Sequence, residues 1–284
     1  MSARRHAIKV GLNRGWAELK LSLRSPQDQG FYIVVALIVL GYLYGNRATP
    51  LEGTDLYLPS VALPSLLGGL LAFGAVVGPT YTLALEREDG TLLRAKALPH
   101  GMTGYVTGQL LFQSMSVVPM FLVILVPSFL LFDGLAHRGA LGWLTMLWVL
   151  LLGLLATLPI GMIIGSVVPS PQKVGTWGIL PVMVLAAISG VFVPVQALWG
   201  WVQTIAQVFP MYWIGLGMRS AFLPDAAAVL ELGGTWRTWQ TVAVLAAWAI
   251  GSALVMPTLL RRMARRQSGA AVLAAREAAG QLVR

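Results

Sequence analysis

The chain has 284 residues, 57% of them hydrophobic and 11% charged, with a mean hydropathy of +0.74 and a net charge of +9. Soluble domains carry about 25% charged residues, so this composition belongs in lipid and excludes an ordinary soluble enzyme. The absence of cysteine excludes disulfide frameworks, zinc–thiolate sites and a cysteine nucleophile, and the positive balance fits a membrane protein's basic cytoplasmic face and anionic lipid, not nucleic acid.

The expected fold is an all-α polytopic membrane protein in three parts. Residues 1–29 form an amphipathic helix: Ile8, Leu12, Trp16, Leu19 and Leu23 make one helical stripe, flanked by Lys9, Asn13, Lys20 and Arg24. Such a helix lies in the interface plane, and Ser25–Pro26 ends it. No cleavable leader is expected, since the first apolar run starts only near Phe31. Residues 30–260 form the membrane domain and 261–284 a basic tail with Arg261, Arg262, Arg265, Arg266, Arg276 and Arg284.

Six spans are expected: Phe31–Gly45, Val61–Leu85, Tyr105–Phe132, Leu141–Val168, Thr176–Pro194 and Trp239–Leu260. Pro64 and Pro79 are expected kinks in the second. Between the second and third lies a charged segment, 86–102, with Glu86, Arg87, Glu88, Asp89, Arg94 and Lys96. Both neighbouring runs, Leu56–Leu85 and Ala97–Phe132, lack Asp, Glu, Lys and Arg, so the segment must lie in water. It reads as a short helix with Asp89 as N-cap, Leu92, Leu93 and Leu98 as apolar positions and Pro99 as stop. On the tip of a membrane hairpin, it is placed to receive a push from a soluble partner. PSPQKVG, Pro169–Gly175, is a second turn on the same side.

Sixteen of the twenty Lys and Arg residues then fall on the side of the two termini, which makes both termini cytoplasmic. The run Val195–Leu223 imitates a seventh span. A seventh span would put the basic tail outside, Pro210 interrupts the run, and Trp199, Trp201, Tyr212 and Trp213 resemble an aromatic belt. The segment 195–235 is therefore expected to hold two short helices dipping into the outer leaflet.

The six expected spans contain no Asp, Glu, Lys, Arg or His, which disfavours a carrier with its own proton relay. Lys9, Lys20, Lys96 and Lys173 are never followed by Ser or Thr, so no P-loop exists. His6, His100 and His137 lie in separate aqueous segments and read as solvated, and no residues suit a metal. The glycine pairs Gly41/Gly45, Gly74/Gly78, Gly104/Gly108 and Gly161/Gly165 read as intrachain packing. On its own the chain is not expected to be an enzyme.

Two stretches carry a family resemblance. LEREDGTLLRAKALPHGMTGYVTGQLL, Leu85–Leu111, resembles the E-R-E-x-G-T-L segment of ABC-2-type transporter permeases. ISGVFVPVQALWGWVQTIAQVFPMYWIGLGMRSAFL, Ile188–Leu223, resembles that family's segment between spans five and six, with Ser189, Gly190, Pro194, Trp201, Pro210 and Arg219 at matching places. At Leu198–Trp199–Gly200 the chain departs from the family, which often has Pro before the Trp. The nearest flavour is the daunorubicin-resistance type of drug exporter permease.

The resemblance implies the membrane half of an ATP-driven exporter in the bacterial plasma membrane. Two permease chains, identical or paralogous, would pair with two cytoplasmic ATPases that bind the ATP and Mg. The coupling helix seated in the ATPase would comprise Glu86, Arg87, Glu88, Asp89, Gly90, Thr91, Leu92, Leu93, Arg94 and Lys96, with the N-terminal helix beside it and the Pro169–Gly175 turn as a smaller contact. Spans two and five would line the path, at Phe73, Val77, Met183 and Ile188. The implied cargo is a hydrophobic drug or lipid-like molecule. Polysaccharide or glycolipid export is the alternative within the family, and a non-transporting scaffold or immunity subunit the alternative outside it.

Overall fold

The computed structural model describes residues 3–266 except residue 52. Six of its helical segments are long and apolar enough to cross a membrane. They include α2 (Pro26–Gly45), α3 (Leu58–Glu88), α5 (Gly101–Leu131), α6 (Gly139–Val167) and α10 (Thr238–Arg266). The other, Pro171–Ile188, is composite: a 3-10 turn at Pro171–Lys173, a π-helical turn at Gly175–Ile179, then the nine-residue α7, Leu180–Ile188. Outside the spans stand α1 (Ala3–Ser22), α4 (Thr91–Ala97), α8 (Gly200–Val208) and α9 (Pro210–Phe222). Among the described residues no strand forms, and a lone bridge between Pro50 and Tyr57 closes the loop from α2 to α3.

The helices outrun the charge-free stretches that announce them. At 1.5 Å per residue the 31-residue α3 is about 46 Å long, well beyond a ~30 Å hydrocarbon core. Its last turn therefore carries Glu86, Arg87 and Glu88, and α2 begins with Asp28 in its first turn. Helix α3 continues through Pro64 and Pro79. The fifth span, in contrast, stops at Ile188, short of the expected Pro194.

Helices α3, α6, α9 and α10 pack as the core of the bundle. Leu63, Leu67 and Leu71 of α3 meet Leu154 and Leu158 of α6 and Ile214, Leu216 and Met218 of α9 in one buried cluster. Two short helices do follow Trp199, and they differ in burial. Every residue of α9 is buried, including Tyr212 and Trp213. Only Trp199 and Trp201, which stack with ring centroids 6.0 Å apart, stand exposed as a belt would. Tyr212 and Trp213 are buried with the rest of α9, and Arg237 lies over both rings, 5.6 and 4.9 Å from their centroids.

Helix α1 packs along α5 through a face that shares only Leu19 with its apolar stripe. Its buried residues are Ala7, Gly11, Gly15, Leu19 and Ser22, while Leu12, Trp16 and Leu23 are exposed. Gly11 and Gly15 lie against the backbone of Gly104 and Gly108, and a Cβ on Gly104 would come within 2.8 Å of the Ala7 carbonyl oxygen. Leu12, Trp16 and Leu23 of the stripe are thus left exposed, and small residues make most of the helix contact. Gly161/Gly165 likewise face α3 at Val76 and Thr80, whereas Gly41 and Gly45 meet nothing. Gly104→Val is expected to lift α1 off α5. Limited proteolysis should then cut within residues 3–25 about five- to 150-fold faster, by the open-state population that a penalty of about 1–3 kcal/mol creates.

Candidate functional site

Polar chemistry gathers at two ends of the bundle. At the first, α3 ends on Asp89, which is its C-cap and not the N-cap of the following helix. Gly90, at φ +81°, is that N-cap, and Asp89 accepts a hydrogen bond from the Thr91 amide at 2.7 Å through Oδ1. A left-handed backbone suits Gly, so the turn that reverses α3 into α4 is written at position 90.

Helix α4 has only seven residues, and one side chain fastens it. Leu92 is fully buried among Leu83 of α3, Tyr105 of α5, Met162 of α6 and Met256, Leu260 and Met263 of α10. A displacement of α4 therefore reaches four helices at once. Arg94 and Lys96 stand exposed on its other side, with Arg94 donating to Thr91 at 2.9 Å.

The charged residues of the segment do not simply pair with one another. Glu86 accepts a hydrogen-bonded ion pair from Arg14 of α1, which also binds Glu18 at 2.7 Å and lies 5.2 Å from the Tyr105 ring centroid. Partial burial works against the Arg14 charge, but Glu86 and Glu18 outweigh it and hold its pKa above the ordinary value. Arg87 reaches the end of α6, donating to the carbonyls of Val168 at 2.7 Å and Pro169 at 2.9 Å, with longer bonds to Ser166 and Gly165. A guanidinium there satisfies carbonyls that a helix terminus leaves open. It also brings the charged segment and the Pro169 turn together, as their shared side requires. Arg87→Ala should free this turn, and faster hydrogen exchange confined to residues 165–175 checks it.

At the opposite end the second motif closes around Arg219. This side chain is 4% exposed and is held in two-point contact by Glu231, with Nη2 3.0 Å from Oε2. Its Nη1 donates to Ser65 of α3 at 3.2 Å and to the Gly190 carbonyl at 3.3 Å. Arg219 thus joins α9, α3, the chain after α7 and the loop before α10. Of the other motif residues, Ser189 and Pro210 are buried, while Pro194 and Trp201 are exposed. The pair is buried within the bundle but lies outside the six expected spans, which themselves hold no Asp, Glu, Lys, Arg or His. Glu231 and Ser65 were not singled out from the sequence. A signal existed, since Asp225 and Glu231 are the only acids between Asp133 and Glu277.

The expected path residues lie on α3 and α7, at the edge of the main core. Phe73, Val77 and Ile188 are half-buried against the main cluster and Met183 is exposed. His6, His100 and His137 are exposed. Of the tail, Arg261, Arg262 and Arg265 lie on α10, and residues 267–284, with Arg276 and Arg284, lie outside the described residues.

Six apolar helices with a charged platform at one end define a multi-pass helical membrane protein. The family model described as ABC-2 type transporter matches residues 15–223, and the chain belongs to that family. It is accordingly a transmembrane permease component of an ABC transporter, a class that works with an ABC ATPase. A search of curated proteins gives no significant match.

Proposed function

We propose that the chain is the membrane half of an ATP-driven exporter of hydrophobic or amphiphilic drugs or lipid-like molecules, closest to the daunorubicin-resistance type. The ATPase is a separate cytoplasmic chain that binds ATP and Mg, and two such subunits act on a pair of permease chains, identical or paralogous. Both termini are cytoplasmic, in a bacterial plasma membrane. Helix α1 is the interfacial elbow, α4 the coupling helix, and α8 and α9 are the short helices that enter the outer leaflet.

The observation that supports this reading best is the anchorage of α4. An element too short to be stable alone enters, through Leu92, a buried cluster shared by α3, α5, α6 and α10, while Arg14–Glu86 and Arg87 tie the same corner to α1 and α6. A push on α4 becomes a movement of the bundle only if such fastening exists. Each conformational state must then differ in contact energy with the ATPase. Cargo passes where α3 and α7 face the partner permease, near Phe73, Val77, Met183 and Ile188. The cargo class rests on the apolar character of these surfaces.

The test is co-reconstitution of the chain with its ATPase in proteoliposomes. Stimulation of ATP hydrolysis by amphiphilic drugs, with their nucleotide-dependent movement across the membrane, is expected. Transport by the chain alone, driven by a proton or sodium gradient, overturns the reading.

A further inference from the structure

Between α2, α3 and the chain that follows α7 lies a cavity of about 440 Å³, within the ~300–1,000 Å³ range of small-ligand pockets. Val39 of α2, Ala62 and Leu66 of α3, Val191, Val195 and Leu230 give it apolar walls. Ile38 and Tyr42 of α2 and Phe192 and Val193 edge it, and all four are exposed large side chains. Because α2 is a membrane-crossing helix with little of its surface buried, this mouth opens on the face that meets hydrocarbon. One wall is polar: Ser65, Arg219 and Glu231 line the same cavity. None of the residues expected to line the path belongs to it, yet Ala62 and Leu66 continue, at helical spacing, the half-buried α3 stripe of Leu70, Phe73 and Val77.

We propose that this cavity binds an uncharged single-chain amphiphile that enters from the lipid phase. Its chain lies against α2 and α3, and its hydroxyl-bearing head meets the Arg219–Glu231 pair. The charge of the occupant follows from the pair itself. Arg219 and Glu231 neutralise one another in two-point contact. An anionic head would have to compete with Glu231 and a cationic head with Arg219, and either would strand a buried charge. The need for a polar head follows from the hydrogen-bond inventory. Nε, both Nη1 hydrogens and one Nη2 hydrogen of Arg219 are used by Glu231, Ser65 and Gly190. The second Nη2 hydrogen has no partner among the described residues, and the carboxylate keeps unused lone pairs. A hydroxyl answers both, accepting from the guanidinium and donating to the carboxylate. The volume, in the lower half of the range, suits one chain better than a two-chain phospholipid. Binding here goes beyond the transport reading and is tested without it.

The experiment uses the full chain in phosphatidylcholine nanodiscs and a 1-oleoylglycerol that carries a diazirine in its acyl chain. Photolabelling is expected on peptides covering residues 38–42, 58–66 and 190–196. Excess 1-oleoylglycerol should displace the label, whereas oleate and oleylamine should not. Ala62→Trp, which fills the cavity from α3, should lower labelling about tenfold. Extraction of the chain purified from its host membrane separates two sources of the same chemistry. A resident membrane component co-purifies with wild type and not with Ala62→Trp, whereas a cargo supplied from outside binds only when added. Label scattered over α5 and α6, away from the cavity, or equal displacement by all three competitors, overturns the proposal. Both of these readouts use the wild-type chain, so poor folding of the Trp variant does not blunt them. Because no ATPase is present, failure here leaves the transport reading standing, and a failed transport assay leaves this site standing.

Discussion

Leu92→Ala is expected to leave the chain inserted in the membrane and to cut nucleotide-dependent transport by more than about tenfold. The substitution removes a fully buried side chain from a cluster shared by α3, α5, α6 and α10. Such a truncation costs about 2–5 kcal/mol. The loss falls on α4, because seven residues are too few to hold a helix without docking. The four long helices retain their own contacts, so undocking is local and the bundle survives. Hydrogen exchange across residues 89–98 should rise, and ATP hydrolysis should lose its response to cargo. Gly90→Pro is expected to act alike through the backbone, since proline's φ near −65° cannot reach +81°. Transport and exchange unchanged in both variants would remove α4 from the coupling role.

The second large effect belongs to the other end of the molecule. Arg219→Leu should destabilise the chain by about 3–5 kcal/mol, because it leaves Glu231 buried without its partner. Against a typical total of about 5–15 kcal/mol, this is enough to lower folded yield severely. The loss is one of neutrality and not of bulk, and the double variant tests that point. Arg219→Leu combined with Glu231→Leu removes both charges, and should recover much of the stability. The readouts are detergent-solubilised yield and Tm of the three variants. If the double variant is as unstable as Arg219→Leu, the pair is held by its shape and its bonds to Ser65 and Gly190, and charge compensation is the wrong account.

The spans were legible because charge-free runs of membrane length leave the chain few other options. The platform was legible for the converse reason: Glu86, Arg87, Glu88 and Asp89 cannot lie in hydrocarbon. What stayed hidden shares a physical cause, namely contacts whose strength does not come from hydrophobicity. In α1 the eye follows Leu12 and Trp16, yet the packed face is Ala7, Gly11 and Gly15, residues with almost no hydropathy signal. Asp89 has the chemistry of an N-cap, but the sharp reversal after α3 needed a positive φ and gave the position to Gly90. The Arg219–Glu231 pair spans twelve residues and an irregular loop, and no local pattern announces it. Tyr212 and Trp213 imitate an exposed belt in the sequence, but α9 is buried along its whole length.

The meeting of α1 with α5 has a consequence for how this protein can vary. Where Gly11 and Gly15 touch Gly104 and Gly108, main chain rests on main chain, and any added carbon strikes a carbonyl oxygen. Elsewhere a bundle can trade a large residue on one helix for a small one on its neighbour. Here there is nothing left to make smaller, so a bulkier partner on either helix has no compensating change available. Substitutions at these four positions are predicted to be losses that no second mutation across the seam repairs.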